Sequence, residues 1–339
     1  MGTKIGDLFP REERDLGDFS GRTIAIDAYN AIYQFMASIR QPDGMPLSDE
    51  QGRPVSHLMG LLSRTASIMS EGIRPVFVFD GKPHVLKART LEARREVKMK
   101  AQKEWEDALE EGDMERARSK AQQTSRMTDD ISRQSKELLE LLGIPVVQAP
   151  SEGEAQASFM VRRGDVWAAA SQDFDTLLFG CPRLIRNLTS TGRRKLPRQN
   201  RYISVNPELI DLPVALGKLE INRDQLIDIG ILVGTDFNDG IRGVGGKTAL
   251  KLILKHNNLE SVIEDKGYII PNYSEIRGIF REPEVSEDYA VEWSRPRDEE
   301  VLDMLCGEYD FTPDRVKRSL ERLRKAEDAR SQKRLEDWF

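Results

Sequence analysis

Six acidic residues follow shortly after short apolar runs in this chain. Asp27 comes after Ile24-Ala25-Ile26 and Asp80 after Val76-Phe77-Val78-Phe79; Glu152 and Glu154 come after Val146-Val147, and Asp173 and Asp175 after Ala168-Ala169-Ala170. The runs, over 23–28, 75–79, 144–147, 166–170 and 184–186, are rich in β-branched and aromatic residues and read as buried strands. Long helical patterns separate them, which implies an α/β fold with a mainly parallel sheet whose ligands bind beyond the carboxyl ends of the strands. All six acids fall at those ends. Taken singly, some have a local reading: Ser151-x-x-Glu154 fits a capping box, and Ser171 or Asp173 suits a cap on the next helix. Taken together, carboxylates converging on one edge repel one another and push some pKa values upward unless a cation intervenes. Oxygen-only ligation suits Mg²⁺ or Mn²⁺, and a pair of such ions about 4 Å apart is a device for in-line attack on a phosphodiester.

Composition narrows the alternatives. The 339 residues are 39% hydrophobic and 32% charged, as in a soluble globular protein. No apolar run approaches the roughly 20 residues a bilayer requires, and no signal-peptide h-region is present, so a cytoplasmic protein is expected. With only Cys181 and Cys306, and three histidines, neither a disulfide framework nor a cysteine or histidine metal centre is available. Any metal has to sit on carboxylates. The net charge of −6 conceals segregation: 82–103 holds eight basic and two acidic residues, and 183–201 holds seven basic and none acidic. Each stretch fits a phosphate-tracking surface or a solvated face.

The stretch 87–142 is almost free of Gly and Pro and reads as helices standing outside the sheet. Residues 223–256 read as two helices joined by the turn Gly240-Ile-Arg-Gly-Val-Gly-Gly246. The turn is not a P-loop: the first glycine of that motif falls at Ile241, and a helix precedes the turn where a strand is needed. A charged helix after Asp314 leads into a polar tail.

Several stretches carry a resemblance to the flap endonuclease family, of archaeal type, within the wider group of metal-dependent 5′ nucleases. They are Ala25-Ile-Asp-Ala28 with Ile32-Tyr-Gln-Phe35, Val78-Phe-Asp-Gly-Lys-Pro83, Ala149-Pro-Ser-Glu-Gly-Glu-Ala-Gln-Ala157, Ser171-Gln-Asp-Phe-Asp-Thr-Leu-Leu178 and Leu232-Val-Gly-Thr-Asp236. The match runs nearly end to end. It implies a metal site of Asp27, Asp80, Glu152, Glu154, Asp173, Asp175 and Asp236, Asp236 being added by the resemblance alone. Two Mg²⁺ per active site are implied, with Mn²⁺ able to substitute. Lys87 and Arg94, seven apart on one helix face, are implied to act catalytically on the scissile phosphate. Tyr33 resembles a tyrosine that stacks on a base near the cut. Gly243, Gly245 and Lys247 match the turn that grips a duplex phosphate through N–H groups at a helix N-terminus.

The fold expected from all this is α/β, a mainly parallel central sheet flanked by helices, with a helical arch insertion and a helix–turn–helix DNA-binding element. It forms a single nuclease domain over 1–330, with the arch at 82–136 and the helix–turn–helix at 223–256. In the tail, 331–339, the residues Gln332, Leu335, Trp338 and Phe339 occupy the positions of a sliding-clamp-binding peptide. The implied activity is hydrolysis at the base of 5′ flaps with accompanying 5′-3′ exonuclease action, in Okazaki fragment processing and repair. The implied partners are branched DNA and a sliding clamp, with the enzyme a monomer. A ribonuclease or exonuclease built on the same core is the rival of the same class. A non-catalytic DNA-binding scaffold is the rival of a different class, natural only if carboxylates were missing.

Overall fold

The computed structural model describes residues 3–41, 44–121, 123–124, 126–195 and 202–336. Its strands are β1 (Glu12–Glu13), β2 (Thr23–Asp27), β3 (Arg74–Phe79), β4 (Val146–Gln148), β5 (Ala168–Ala170), β6 (Arg183–Arg186), β7 (Gly192–Lys195), β8 (Tyr202–Val205) and β9 (Glu208–Asp211). The helices of the first half are α1 (Ala28–Ser38), α2 (Ser56–Ser70), α3 (Ala88–Glu110), α4 (Met114–Ala121), α5 (Asp129–Leu141) and α6 (Gly153–Arg163). Those of the second half are α7 (Asp175–Leu178), α8 (Leu212–Leu219), α9 (Arg223–Val233), α10 (Gly246–His256), α11 (Leu259–Lys266), α12 (Tyr273–Arg281), α13 (Asp298–Leu302) and α14 (Pro313–Glu336).

Among the described residues a seven-stranded sheet runs in the order β1-β9-β6-β5-β2-β3-β4. The five strands expected from the apolar runs form its parallel part, β6-β5-β2-β3-β4. β9 and β1 extend it in antiparallel fashion, and β7 pairs with β8 in a separate hairpin. These last four strands lie outside the expectation from sequence because they are short and carry no long apolar run. β6 and β7 also divide the basic stretch 183–201, and its first two arginines have structural partners. Arg183 lies over the Trp167 ring and donates to Trp167 O at 2.8 Å, while Arg186 pairs with Glu208 at 2.9 Å.

Both faces of the parallel strands are covered, which is why they read as continuous apolar runs. Ile24, Ile26, Phe77 and Phe79 pack toward α1, α2, α5 and α14 in one apolar cluster. The alternate residues Ala25, Val76 and Val78 pack on Ala157, Met160 and Val161 of α6. A further cluster joins α9 to α12 with Ile5, Leu8 and Phe9 and with Leu177 and Leu178 of α7. It seats the two helices flanking the glycine turn beside the carboxyl end of the sheet.

α3 buries only Ala101 and Ala108 over 23 residues, so it stands away from the sheet and packs on α4. α5 is different: Ile131, Leu138 and Leu139 are buried in the first cluster, so this last part of the helical stretch belongs to the core. α14 continues through Glu336. Trp338 and Phe339, and the side chains of Gln332 and Leu335, lie outside the described residues. Among the described residues no helix is long and apolar enough to cross a membrane.

Candidate active site

Strand register brings the acids together. β2 and β5 pair Ile26 with Ala170, so the residues that follow, Asp27 and Ser171, are neighbours, and Ser171 Oγ donates to Asp27 Oδ2 at 2.9 Å. β2 and β3 pair Asp27 with Val78, which puts Asp80 two positions further along the same edge. Asp80 Oδ1 accepts from Gly153 N at 2.6 Å and so ties β3 to the start of α6, where Glu152 and Glu154 flank that glycine. A Cβ on residue 153 would lie 2.7 Å from Asp80 Oδ1, so any larger residue there would push the Asp80 carboxylate out of this position. Asn30 Nδ2 reaches Asp173 Oδ2 at 3.4 Å. Asp175 Oδ1 accepts from Thr3 N at 2.8 Å and from Thr3 Oγ1.

The local capping readings are redistributed. Asp27 itself caps α1, accepting from Asn30 N at 2.9 Å. The box at Ser151-x-x-Glu154 is not formed: Glu152 is the N-cap residue, and the Gly153 N–H goes to Asp80 from another strand. Ser171 Oγ accepts from Asp173 N at 3.2 Å while donating to Asp27, but neither Ser171 nor Asp173 caps the next helix: α7 begins after Phe174 with no side chain bonded to its first turn.

Asp27, Glu152 and Asp175 are buried, and the other acids are partly buried. Burial, then the charge of Asp80, raises the Asp27 carboxyl to about 7. Burial likewise lifts Asp80 to about 6, with Lys87 opposing and Glu152 and Asp236 adding to the rise. Glu154 is pushed well above the usual range by burial and then by Asp27, and Asp175 rises to about 6 through burial and the charge of Asp236. The charges of Glu152, Asp173 and Asp236 each bear on one or more of these four raised carboxyls, which ties all seven acids into one group.

The two cations of the helical insertion reach into this group. Lys87 Nζ contacts Glu152 Oε2 and lies 3.3 Å from Asp236 Oδ2, and Arg94 Nη2 lies 2.5 Å from Asp236 Oδ1. Burial opposes the charge on Lys87, but Glu154, Glu152 and Asp236 outweigh it and hold the ammonium protonated. Among the described residues no three acidic, His or Cys side chains are set to hold a metal ion as they stand. The carboxylate oxygens turn instead to Lys87, Arg94, hydroxyls and N–H groups.

Two family regions match this chain, the XPG N-terminal domain over residues 8–101 and the XPG I-region over 143–236. The acids found together above lie within them. Flap endonuclease 1 of Methanosarcina acetivorans is 50% identical over 339 residues, covering 100% of both chains. That of Pyrococcus furiosus is 49% identical over 340 residues, covering 100% of this chain and 99% of its own. The solved structure of flap endonuclease-1 from Methanococcus jannaschii, 40% identical, superposes with a TM-score of 0.77 over 96% of this chain and 98% of its own. The chain belongs to the flap endonuclease 1 family. It is accordingly a structure-specific flap nuclease that hydrolyses DNA phosphodiester bonds, and nucleases of this family are metal-dependent. The catalytic core of Rad2, solved in complex with a DNA substrate, shares the fold at 22% identity and a TM-score of 0.69, over 94% of this chain and 97% of its own.

The remaining candidates of this flap endonuclease stand around the acids. Tyr33 faces the insertion: its hydroxyl accepts from Met127 N at 3.2 Å and Lys98 Nζ at 3.3 Å, and Lys98 Nζ lies 4.4 Å from the ring centroid. Gly243, Gly245 and Lys247 are exposed, and Gly245 is the N-cap of α10 with no side chain bonded to the first turn. Arg89 of α3 pairs with Asp239, the residue before the glycine turn, at 3.0 Å, linking the insertion to that turn. Thr3 and Asn30 had no signal in the sequence, because their function is to bond acids that only the fold brings near.

Proposed function

We propose that this chain cuts DNA at the base of a 5′ flap with the help of two divalent cations held by Asp27, Asp80, Glu152, Glu154, Asp173, Asp175 and Asp236. The observation that carries the reading is the convergence of these acids, six of them after β2, β3, β4 and β5 and Asp236 after α9, several with raised pKa values, against two cations from α3 and the turn before it. The donor set fits the ions: it offers only carboxylate oxygens, the ligands of Mg²⁺ and Mn²⁺, and it is over-charged for a metal-free site. A bound pair of such ions supplies Lewis acidity at the scissile phosphate and a nucleophile at neutral pH.

The chain's own residues do the rest. Lys87 and Arg94 stand within ion-pairing distance of the cluster and would place two positive charges against the phosphate, where charge builds in the transition state. The open first turn of α10, with Lys247, would grip a phosphate of the flanking duplex and fix the junction in register. Tyr33 would present its ring to a base beside the cut once Lys98 shifts to the incoming phosphates. The part of 82–136 ahead of α5, with α3 and α4, would serve as an arch for the 5′ single strand. The tail residues Gln332, Leu335, Trp338 and Phe339 would dock a sliding clamp, tethering a monomeric, cytoplasmic enzyme to replicating or repaired DNA.

The test is cleavage of end-labelled flap, nicked and single-stranded DNA with and without Mg²⁺. The reading requires metal-dependent cutting at the flap base, with slower 5′-3′ exonuclease action at nicks. Preferential cutting of unbranched single strands, or cutting unaffected by EDTA, sinks it.

A further inference from the structure

Asp175 is held by an element far from it in sequence, the segment ahead of β1. Thr3, 3% exposed, donates through both its N–H and its Oγ1 to the same oxygen, Oδ1, of Asp175, which is 5% exposed. The segment is fixed around Phe174, the residue between Asp173 and Asp175. A Cβ at Gly6 would lie 2.5 Å from the Phe174 ring, so the backbone passes there only as glycine. Phe9 stacks on the same ring with centroids 6.1 Å apart and planes at 10°. Arg11 lies 5.5 Å from its centroid and donates to Gly6 O at 3.1 Å.

The other side of the segment touches α10. Ile5 and Leu8 press on Gly246, the first residue of that helix: a Cβ there would fall 3.3 Å from Leu8 Cγ and 3.5 Å from Ile5 Cα. One short stretch of chain thus contacts both the acidic cluster and the start of α10, the helix proposed above to grip DNA.

We propose that Thr3 is a positioning residue for Asp175, its hydroxyl fixing the carboxylate's orientation among the other acids and thereby the affinity of the cluster for a divalent cation. The proposal rests on the reading of the seven acids as the cation-binding group. The hydroxyl is the informative part, because any residue at this position supplies the N–H, whereas valine has the shape of threonine without the donor. Bonds of this kind to ligating carboxylates tune metal affinity by about 10- to 100-fold.

The experiment uses the full chain with Thr3→Val, Thr3→Ser and Asp175→Asn. Each protein is titrated with Mn²⁺ alone by calorimetry, assayed for flap affinity and single-turnover cleavage across a Mg²⁺ series, and melted. Thr3→Val should bind Mn²⁺ about tenfold more weakly and need correspondingly more Mg²⁺ for half-maximal rate, with flap affinity unchanged. Thr3→Ser should restore both. Native Mn²⁺ affinity in Thr3→Val, alongside a dead Asp175→Asn, overturns the role of Thr3 while leaving the site reading intact. Failure of Thr3→Ser to rescue overturns it as well, since shape and not the hydroxyl would then matter. Normal metal affinity and cleavage in Asp175→Asn overturns the site reading and this proposal together.

Discussion

Replacing Asp175 by asparagine removes one negative charge from the acidic group while leaving an Oδ1 that can still accept from Thr3. Burial and Asp236 raise this carboxyl from 3.8 to about 6, a penalty on the ionised form of about 3 kcal/mol at ~1.4 kcal/mol per unit. Because the folded-state value lies above the unfolded one, the penalty is absent below pH 3.8, builds through the interval to about 6 and is complete above it. Metal-free Asp175→Asn should therefore be more stable than the native chain at pH 7.5. With an unfolding entropy of ~2.1 cal/mol/K per residue over 339 residues, that gain is a rise in melting temperature of about 4 °C at most. Calorimetry in EDTA at pH 7.5 and pH 4 reads it, and the advantage should shrink at the lower pH. Adding Mg²⁺ should reverse the order, since the native chain gains by cation binding and the variant gains less. The variant should also lose cleavage while keeping flap affinity. An Asp175→Asn protein that melts below the native chain in EDTA at pH 7.5, or that gains as much from Mg²⁺, would refute the reasoning.

Three further outcomes are expected. Lys87→Ala should lower the single-turnover rate by about 100-fold with little change in flap affinity, whereas Lys247→Ala should weaken duplex binding and flatten its salt dependence by about one ion; equal effects on binding alone would reduce Lys87 to part of a basic surface. His57, fully buried with Nε2 2.9 Å from Gln134 Oε1, has its pKa lowered to about 4 by burial, so its share of stability, about 3 kcal/mol, is present above pH 6.5 and lost as pH falls through 4; an imidazole titrating near 6.5 by NMR would contradict this. Deleting residues 332–339 should leave cleavage of a free flap unchanged and abolish stimulation by a sliding clamp, and undiminished clamp binding would show that the tail is not the docking peptide.

The acids that dominate these predictions were legible because each follows an apolar strand, and a parallel sheet presents such residues along one edge whatever the details of register. Asp236 had no strand before it. It follows α9 and meets the cluster through Lys87 and Arg94, so only the family resemblance singled it out. The partners of the acids were less legible for a physical reason. A capping box is a local pattern, and Ser151-x-x-Glu154 satisfied it on paper, yet the helix starts one residue later, with Glu152 as N-cap, where a long-range acceptor, the Asp80 carboxylate, takes the Gly153 N–H at 2.6 Å. The same competition explains Thr3: a threonine near the start of a chain carries no pattern, and its meaning comes from a contact across 172 positions. It also bears on Lys87 and Arg94, legible as two charges on one helix face but not as ion-pair partners of the acids. On the proposed reading a cation and these two side chains would draw on the same oxygens of Glu152 and Asp236, so metal loading and release of the arginine and lysine toward a phosphate would be coupled by charge balance. Lys87→Ala should accordingly bind Mn²⁺ more tightly than the native chain in the absence of DNA, while cutting more slowly in its presence. Calorimetric titration of the two proteins at equal ionic strength checks the first half, and weaker Mn²⁺ binding by Lys87→Ala would show that the ion pairs support the metal-binding arrangement instead of competing with it.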